Sequence, residues 1–355
     1  MNPRMIINLE QLTENASTML KICQENGVRL SAVTKAFCAV PKIAEAILAA
    51  GIESLADSRI ENLEKMANLD AEKMLLRLPM LSEVDKVVRF ADISLNSEWE
   101  TIKLLNKAAG RQKTRHGVLL MFDLGDLREG VFNEDELLEL AQKTSRLDYI
   151  DLKGVGTNLT CFGAVIPDEN NLGRLVKIAN DISNITGEKI ELISGGNSSS
   201  IHLLQKGKLP RSINHLRIGE AILIGTEAAY GTKIPGMHYH CFRLIAELIE
   251  IYDKPSLPIG ETGRAVFGEI PHFEDRGVRR RAIAAVGKQD YAGHDLQTVD
   301  NDIKILGASS DHLILDIDDA KNRYRVGDEV CFNLGYGSLL ALSTSPYVAK
   351  GYEGE

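Results

Sequence analysis

The sequence predicts an α/β protein: a TIM-type (β/α)8 barrel followed by a β-rich C-terminal domain. Three observations predict it. Short apolar runs alternate with helical patterns from Leu30 to Gly219, polar and glycine-rich residues fall just after those runs, and from about Ile234 the texture changes to strand-like alternation. Strands alternating with crossover helices imply parallel pairing, with an open doubly wound sheet as the rival of the closed barrel. About eight such strands can be counted, which is the barrel's number.

The first run, "LSAVTKAFCAV", Leu30 to Val40, has the length and content of a buried strand with one lysine inside it. "PKIAEAILAAG" carries apolar residues at helical spacing, ends at Gly51 and leads to the run "IESLAD". "SRIENLEKMAN" then leads to "KMLLRLPM", "SEVDKVVRFA" to "DISLN", and "SEWETIKLLNKAA" to "GVLLMFDLGD". "NEDELLELAQKTSRL" leads to "IDLKGVGTN", "NNLGRLVKIANDISNIT" to "KIELISGG", and "SSIHLLQKG" to "INHLRIG". The barrel is assigned to residues 9–232. Beyond it, "FRLIAELIEIYD", "RAIAAVG" and "HLILDID" alternate like strands, with turns such as "YRVGDEV" and no helix of comparable length expected among them. Residues 233–355 are assigned to this β-rich domain, and residues 1–8 are a candidate extra strand of it.

At 355 residues the chain exceeds a usual single core, which agrees with two domains. Its 44% hydrophobic and 26% charged residues are those of an ordinary soluble protein. A net charge of -9 argues against a sequence-independent nucleic-acid binder. No apolar run approaches a membrane span, and the start "MNPRMIINLEQL" lacks a signal-peptide core, so a cytoplasmic protein is expected. Cys23, Cys38, Cys161, Cys241 and Cys331 have no C-x-x-C pair, which fits a reducing compartment without disulfides. Cys38, near Lys35, is either a reactive thiol or a small buried filler.

In a barrel the residues after the strands converge on one face, where active sites of this fold lie. Lys35, Asp123, Arg128, Asn158, Ser194 to Ser199, and Arg217 with Gly219 occupy such positions. A buried ammonium is costly unless it is paired, neutral or covalently used. Lys35 is therefore either a covalent attachment point or a lysine just past a strand end that reaches solvent. "SGGNSSS", Ser194 to Ser200, combines a glycine-rich turn, hydroxyls and a helix start, the components of a phosphate cradle, without a dinucleotide or P-loop pattern. An aldehyde held by a lysine at one end and a phosphate at the other describes pyridoxal 5'-phosphate.

The segments "INLEQLTENA", "AVTKAFCAV", "FDLGDLREG", "GVGTNLTCFG", "ISGGNSSS", "LRIGEAILIG", "AIAAVGKQD" and "GYGSLLALSTSPYVAKGY" occur in order along nearly the whole chain. They resemble the fold-type III pyridoxal-phosphate enzymes of the alanine racemase superfamily, and most closely its ornithine racemase group, called alanine/ornithine racemase-like. The resemblance implies that Lys35 forms the Schiff base with the cofactor and serves as one proton-transfer base. It implies that Asn197, Ser198, Ser199 and Gly219 hold the phosphate, that Tyr336 reaches it from the second domain, and that Arg217 faces the pyridine nitrogen. Arg128 and Asp311 match positions around the substrate. The implied assembly is a homodimer with composite sites, the opposite-face base coming from the partner's "GKQDYAG" segment, Gly287 to Gly293.

Three departures stand out. Alanine racemases have a tyrosine where this chain has Lys288, which leaves Lys288, Asp290 or Tyr291 as second base. The tyrosine usual four residues beyond the cofactor lysine is Ala39, and the lysine carbamylated in many alanine racemases falls at Met121. The implied activity is racemisation of an amino acid, ornithine first and lysine, arginine, alanine or serine as alternatives. Asp126, Glu227, Asp290 and Asp311 are candidate partners for a substrate ammonium. A D-amino-acid lyase or aldolase and a non-enzymatic cofactor-binding protein remain rival readings. The metal-dependent members need a histidine near a Cys or Asp, and only His238 and His240 in "HYH" suggest ligands, as alternate residues of an expected strand. No metal is expected.

Overall fold

The computed structural model describes residues 3–264, 267–268, 270–291 and 295–354. It divides into two compact units, residues 10–239 and residues 1–9 with 240–355. β1 (Arg4–Asn8) belongs to the second of these. In the larger unit eight strands close into a parallel barrel in chain order: β2 (Arg29–Val33), β3 (Ser54–Asp57), β4 (Glu72–Leu75), β5 (Ile93–Asn96), β6 (His116–Met121), β7 (Ile150–Gly156), β8 (Leu192–Ser194) and β9 (His215–Ile218). Closure is made by β9 against β2, with Arg29 opposite His215 and Ser31 opposite Arg217.

The crossover helices start and stop where local chemistry dictates. Pro41 opens the helix Pro41–Leu48, where its missing N–H costs nothing. The Asn133 side chain accepts the N–H groups of Asp135 and Glu136 at the start of Glu134–Thr144. Asp168 and Asn171 form a reciprocal capping box on Glu169–Thr186, which ends on Gly187 at φ 73°.

Alternation along the strands divides the barrel interior into two halves. Met74, Ile93, Leu95, Leu119, Met121 and Leu192 belong to one buried apolar cluster with Val33 and Ala56. Ser31, Ser54, Ser194, His215 and Arg217 are also fully or nearly fully buried, and each lies two residues along its strand from a cluster member or from another of this set. Gly154 and Gly156 on β7 leave room for both halves: a Cβ on Gly154 would stand 2.0 Å from the Leu192 carbonyl oxygen. Among the described residues no helix is long and apolar enough to cross a membrane.

The second unit is a largely antiparallel sheet of β10 (Phe242–Pro255), β11 (Val278–Ala284), β12 (Leu296–Thr298), β13 (Lys304–Ala308), β14 (Leu313–Asp316) and β15 (Glu329–Leu334), joined by β1 and β16 (Ala349–Glu353). β1 pairs antiparallel with β10 and parallel with β16. Phe242, Leu244, Ala246 and Leu248 alternate into the core, with Met5, Ile7 and Phe332 fully buried beside them in the same unit. One feature departs from the sequence expectation: a nine-residue helix, Tyr336–Thr344, follows β15. Its hydroxyl residues, Ser338, Ser343 and Thr344, are scattered among Leu and Ala rather than gathered on one face, so no helical period marks it, and its N-terminus is capped from elsewhere in the chain. Asp295 accepts the N–H groups of Gly337 at 2.7 Å and Ser338 at 3.0 Å.

Candidate active site

β2 stops at Val33, so Lys35 lies past the strand end rather than inside a run to Val40. Thr34 ends the strand. Its Oγ1 donates to Asp57 Oδ2 at 2.6 Å, and its carbonyl oxygen accepts from the N–H groups of Phe37 and Ala39, each at 3.2 Å. The chain then passes through two consecutive left-handed residues, Cys38 at φ 55° and Ala39 at φ 49°. Without glycine this conformation costs about 1 kcal/mol per residue, and it leaves Lys35 half-buried at the head of a single turn, Lys35–Phe37. Asp57 is the buried anchor of that turn. Burial raises its carboxyl above the ordinary range, while Thr34, the Arg59 N–H and Asn62 pull it back. The Lys35 charge also acts on the Glu220 carboxyl, which burial and Glu227 raise and which Thr226 and Lys35 lower.

Arg217 is the centre of the polar half of the barrel. Its guanidinium donates to Ser194 Oγ, to the Thr157 carbonyl oxygen at 2.6 Å and to Asn158 Oδ1 at 2.8 Å. Burial pushes its pKa down to about 10, which leaves it cationic at neutral pH. Ser194 Oγ also lies 2.7 Å from His215 Nδ1, His215 Nε2 lies 2.8 Å from Ser31 Oγ, and Ser31 Oγ lies 2.7 Å from Ser54 Oγ. A guanidinium can only donate, so the Ser194 proton is free to pass to His215 Nδ1, and the Nε2 proton then faces Ser31. Burial and the Arg217 charge push the His215 pKa down to about 3, which keeps the ring neutral.

His116, buried against Ser94 Oγ at 2.8 Å, is likewise pushed down to about 4 by burial. Unfolded histidine titrates near 6.5, so below about pH 6.5 the unfolded chain binds more protons than the folded one and stability falls with pH. The expected loss is about 1 kcal/mol per pH unit for each histidine down to its buried pKa. Calorimetric melting between about pH 7 and pH 5 checks this; a melting temperature that rises as pH falls contradicts it.

The "SGGNSSS" run folds as the sequence suggests, with Ser198–Ser200 forming a turn that continues into the helix Ile201–Gln205 after β8. Asn197 Oδ1 accepts the Ser199 N–H at 2.8 Å, and its Nδ2 donates to the Leu159 carbonyl oxygen at 3.0 Å. Asn197 thereby ties the cradle to the loop after β7. Ser198 Oγ accepts from the Ala221 N–H at 3.3 Å, which joins the cradle to the Gly219 turn. Ser199 Oγ and Thr157 Oγ1 are buried and have no hydrogen-bond partner among the described residues. Such an orphaned hydroxyl costs about 1–3 kcal/mol. Two of them, one in the cradle and one beside Arg217, fit a polar group such as pyridoxal phosphate bound along this face.

The loop after β6 returns to its own strand: Val131 N–H donates to the Met121 carbonyl oxygen at 2.8 Å and Asp123 N–H to that of Val131 at 3.0 Å. Gly130, at φ 123°, permits the return, since a Cβ there would stand 2.7 Å from Asp123 N. Asp123 Oδ1 accepts the N–H groups of Gly125 and Leu127 inside the loop. Asp126 accepts those of Cys161, Phe162 and Val165, locking this loop to the next. Arg128 is thus held at the same end of the barrel as Arg217, and Asn158 links them through Glu129. Glu129 accepts from Arg128 Nη2 at 2.7 Å, from Arg128 Nε and from Asn158 Nδ2. Sequence reasoning missed Glu129, His215 and Asp57; an acid beside Arg128 was the one available signal.

In the second unit Gly287 packs where no side chain fits, its added Cβ 2.2 Å from the Ser310 carbonyl oxygen. This brings Lys288 and Asp311 onto adjoining turns: Lys288 N–H donates to the Ser309 carbonyl oxygen at 2.9 Å, and Gln289 Nε2 to Asp311 Oδ1 at 2.9 Å. The half-buried Lys288 places its ammonium 4.7 Å from the centre of the Phe267 ring. Asp290 is buried and accepts from Ser345 Oγ at 2.7 Å. Tyr291 is buried, which raises its phenol. Tyr336 is the first residue of the helix Tyr336–Thr344. Ala292 and Gly293, at the end of the "GKQDYAG" segment, lie outside the described residues.

His238 and His240 are on irregular chain rather than a strand, and His238 Nε2 lies 2.5 Å from Glu14 Oε2. No group of three possible metal ligands occurs among the described residues.

Residues 7–227 match the model of the alanine racemase N-terminal domain. A protein of Acetoanaerobium sticklandii named ornithine racemase is 47% identical over 350 residues, spanning 99% of each chain. One of Thermotoga maritima named lysine racemase is 38% identical over 353 residues, spanning 99% of this chain and 98% of that one. Among solved structures, alanine racemase from Bartonella henselae with covalently bound pyridoxal phosphate superimposes at a TM-score of 0.74 with 17% identity, covering 99% of both chains.

Proposed function

The chain belongs to the alanine racemase family, and from that premise we propose that it is an amino-acid racemase, an isomerase, which interconverts L- and D-ornithine with the help of pyridoxal 5'-phosphate. The observation that carries the reading is the full-length likeness to an ornithine racemase. Its geometry agrees. Lys35, the "SGGNSSS" cradle and Arg128 follow different strands, Arg217 lies near the end of β9, and all stand at one end of one barrel, as an active site of this fold requires.

Pyridoxal phosphate, when bound, supplies an aldehyde that condenses with amines and a ring that withdraws electrons from the substrate carbon. Lys35 Nζ holds the aldehyde end. Ser198 and Ser199, with the backbone around Gly219, hold the phosphate, and the orphaned Ser199 hydroxyl is one donor for it. Arg217 donates to the ring nitrogen without giving it a proton, because its pKa lies well above neutrality. Its charge is stabilised by three acceptors, two of them buried, while the neutral His215 adds no second positive charge behind them. Arg128 takes the substrate carboxylate.

Racemisation requires a proton to leave one face of the substrate Cα and return on the other. Lys35 Nζ serves one face. For the other, Lys288 is our choice, because it occupies the position of the second-base tyrosine of alanine racemases and is half-buried, whereas Asp290 and Tyr291 are buried. Of the four acids considered for the substrate's distal ammonium, Asp126 and Glu227 are buried and take loop N–H groups, and Asp290 takes a hydroxyl. Asp311 is exposed, with one oxygen on Gln289, and is our choice for that role.

The second base comes from a partner copy in a homodimer with composite sites. Mixing Lys35→Ala with Lys288→Ala, each inactive alone, should restore about a quarter of wild-type activity once subunits exchange, since half the dimers are hybrid with one intact site each. No recovery despite proven exchange contradicts the shared site.

Polarimetry on L-ornithine, L-lysine, L-arginine, L-alanine and L-serine with added cofactor tests the function. Ornithine should lose its rotation fastest, without release of ammonia or an aldehyde. Stable rotation for all five, or cleavage products, would contradict the reading.

A further inference from the structure

The geometry points to Glu129 as a positioning residue that fixes the substrate-carboxylate arginine, Arg128, and ties it to the cofactor-facing Arg217. The inference rests on the racemase reading and deepens it by naming what sets recognition of the α-carboxylate. Arg128 sits on a loop whose preceding residue, Leu127, is left-handed at φ 56°, and its own side chain is 39% exposed against 16% for Glu129. An arginine so placed has many rotamers to choose from. Glu129 removes that freedom by accepting from both Nε and Nη2 of Arg128, a two-point contact that sets the plane of the guanidinium and leaves Nη1 outside it.

The same carboxylate is itself fixed from the other side. Asn158 Nδ2 donates to Glu129 Oε1, and Asn158 Oδ1 accepts from Arg217 Nη2 at 2.8 Å. One amide thus turns its two ends to the two halves of the site, the carboxylate that holds Arg128 and the guanidinium anchored on Ser194 and Thr157. The link also carries charge. Burial lowers the pKa of Arg217 and Glu129 opposes it; at Arg128 burial also lowers, but the Glu129 hydrogen bond and the charges of Cys161, Glu129 and Asp126 outweigh it and hold the guanidinium above its ordinary value. With its oxygens engaged by Arg128 and Asn158, Glu129 is not the partner of a substrate's distal ammonium.

Glu129→Gln keeps the shape but replaces one acceptor oxygen by an N–H donor facing a guanidinium. Calorimetric titration of the cofactor-saturated enzyme with three ligands separates the possible roles. Ornithine carries both the carboxylate and the distal amine, 2-aminopentanoate lacks the distal amine, and 1,4-diaminobutane lacks the carboxylate. The variant should bind ornithine and 2-aminopentanoate about tenfold more weakly, from the freedom returned to one side chain, and diaminobutane as the wild type does. In an Arg128→Ala background, Glu129→Gln should change ornithine affinity no further. Glu129→Asp, one methylene shorter, serves the same comparison if the glutamine variant does not fold.

Equal weakening of all three ligands would reduce Glu129 to a general structural role and overturn the inference. Weakening of ornithine and diaminobutane with 2-aminopentanoate unchanged would assign Glu129 to the distal amine and overturn it equally, as would three unchanged affinities. A wild type that binds and racemises ornithine separates these failures from failure of the racemase reading, which a wild type inert toward every amino acid tested would show.

Discussion

Replacing Lys35 by alanine should abolish racemisation, with turnover falling by a factor on the order of 10⁴ or more. On the proposed reading the lysine does two things at once: it holds the cofactor's aldehyde end and carries a proton on one face of the substrate. Its place explains why no neighbour takes over: it heads a turn set by Thr34 on the buried Asp57 and closed by two left-handed residues, Cys38 and Ala39. Borohydride reduction of the wild type followed by digestion should leave a pyridoxyl group on the peptide that contains Lys35. The alanine variant, folded as judged by circular dichroism, should carry none. A variant that keeps the label on another lysine and still racemises would contradict the assignment.

Arg217→Leu should be nearly as damaging for a different reason. The arginine is 2% exposed, and its removal leaves Ser194 Oγ, the Thr157 carbonyl oxygen and Asn158 Oδ1 without their charged donor inside the barrel. Breaking such a buried charged network costs about 3–5 kcal/mol, so denaturant unfolding should show a loss of that order. Turnover should fall by about 10²–10³, the usual effect of losing one charged or hydrogen-bonding donor from a reaction site. Affinity for pyridoxal phosphate, titrated separately, should fall as well. Unchanged stability and affinity would show that Arg217 is neither the structural centre of the polar half nor the cofactor's partner.

The barrel was legible because its strands are short apolar runs and its helices keep their period between them, as in "PKIAEAILAAG" and "NNLGRLVKIANDISNIT". The end of β2 was not, because apolar residues continue to Val40 after the strand has stopped at Val33 and no glycine marks the left-handed turn. The helix Tyr336–Thr344 was hidden by a sequence with no polar face and by a cap, Asp295, that lies far away along the chain. "HYH" looked like alternate residues of a strand, whereas the chain there is irregular and His238 meets Glu14.

In the candidate site, the residues proposed to touch a ligand announced themselves by type and place, Lys35 and Ser199 after a strand and Arg217 near the end of one. Those that hold them in place did not. His215 reads as one more residue of a buried strand, and its hydrogen bonds to Ser31 and Ser194 exist only because the barrel closes β9 onto both β2 and β8. Glu129 reads as a loop charge until Asn158, from the next loop, is brought against it.

The most direct measurement of the central claim is the fate of the α-proton of L-ornithine incubated with the cofactor-loaded enzyme in deuterium oxide. The account predicts D-ornithine carrying deuterium at Cα, with the two enantiomers approaching equal amounts and the amino-acid total conserved. L-ornithine recovered unchanged in configuration, or consumed to a carbonyl compound or an amine, would contradict it.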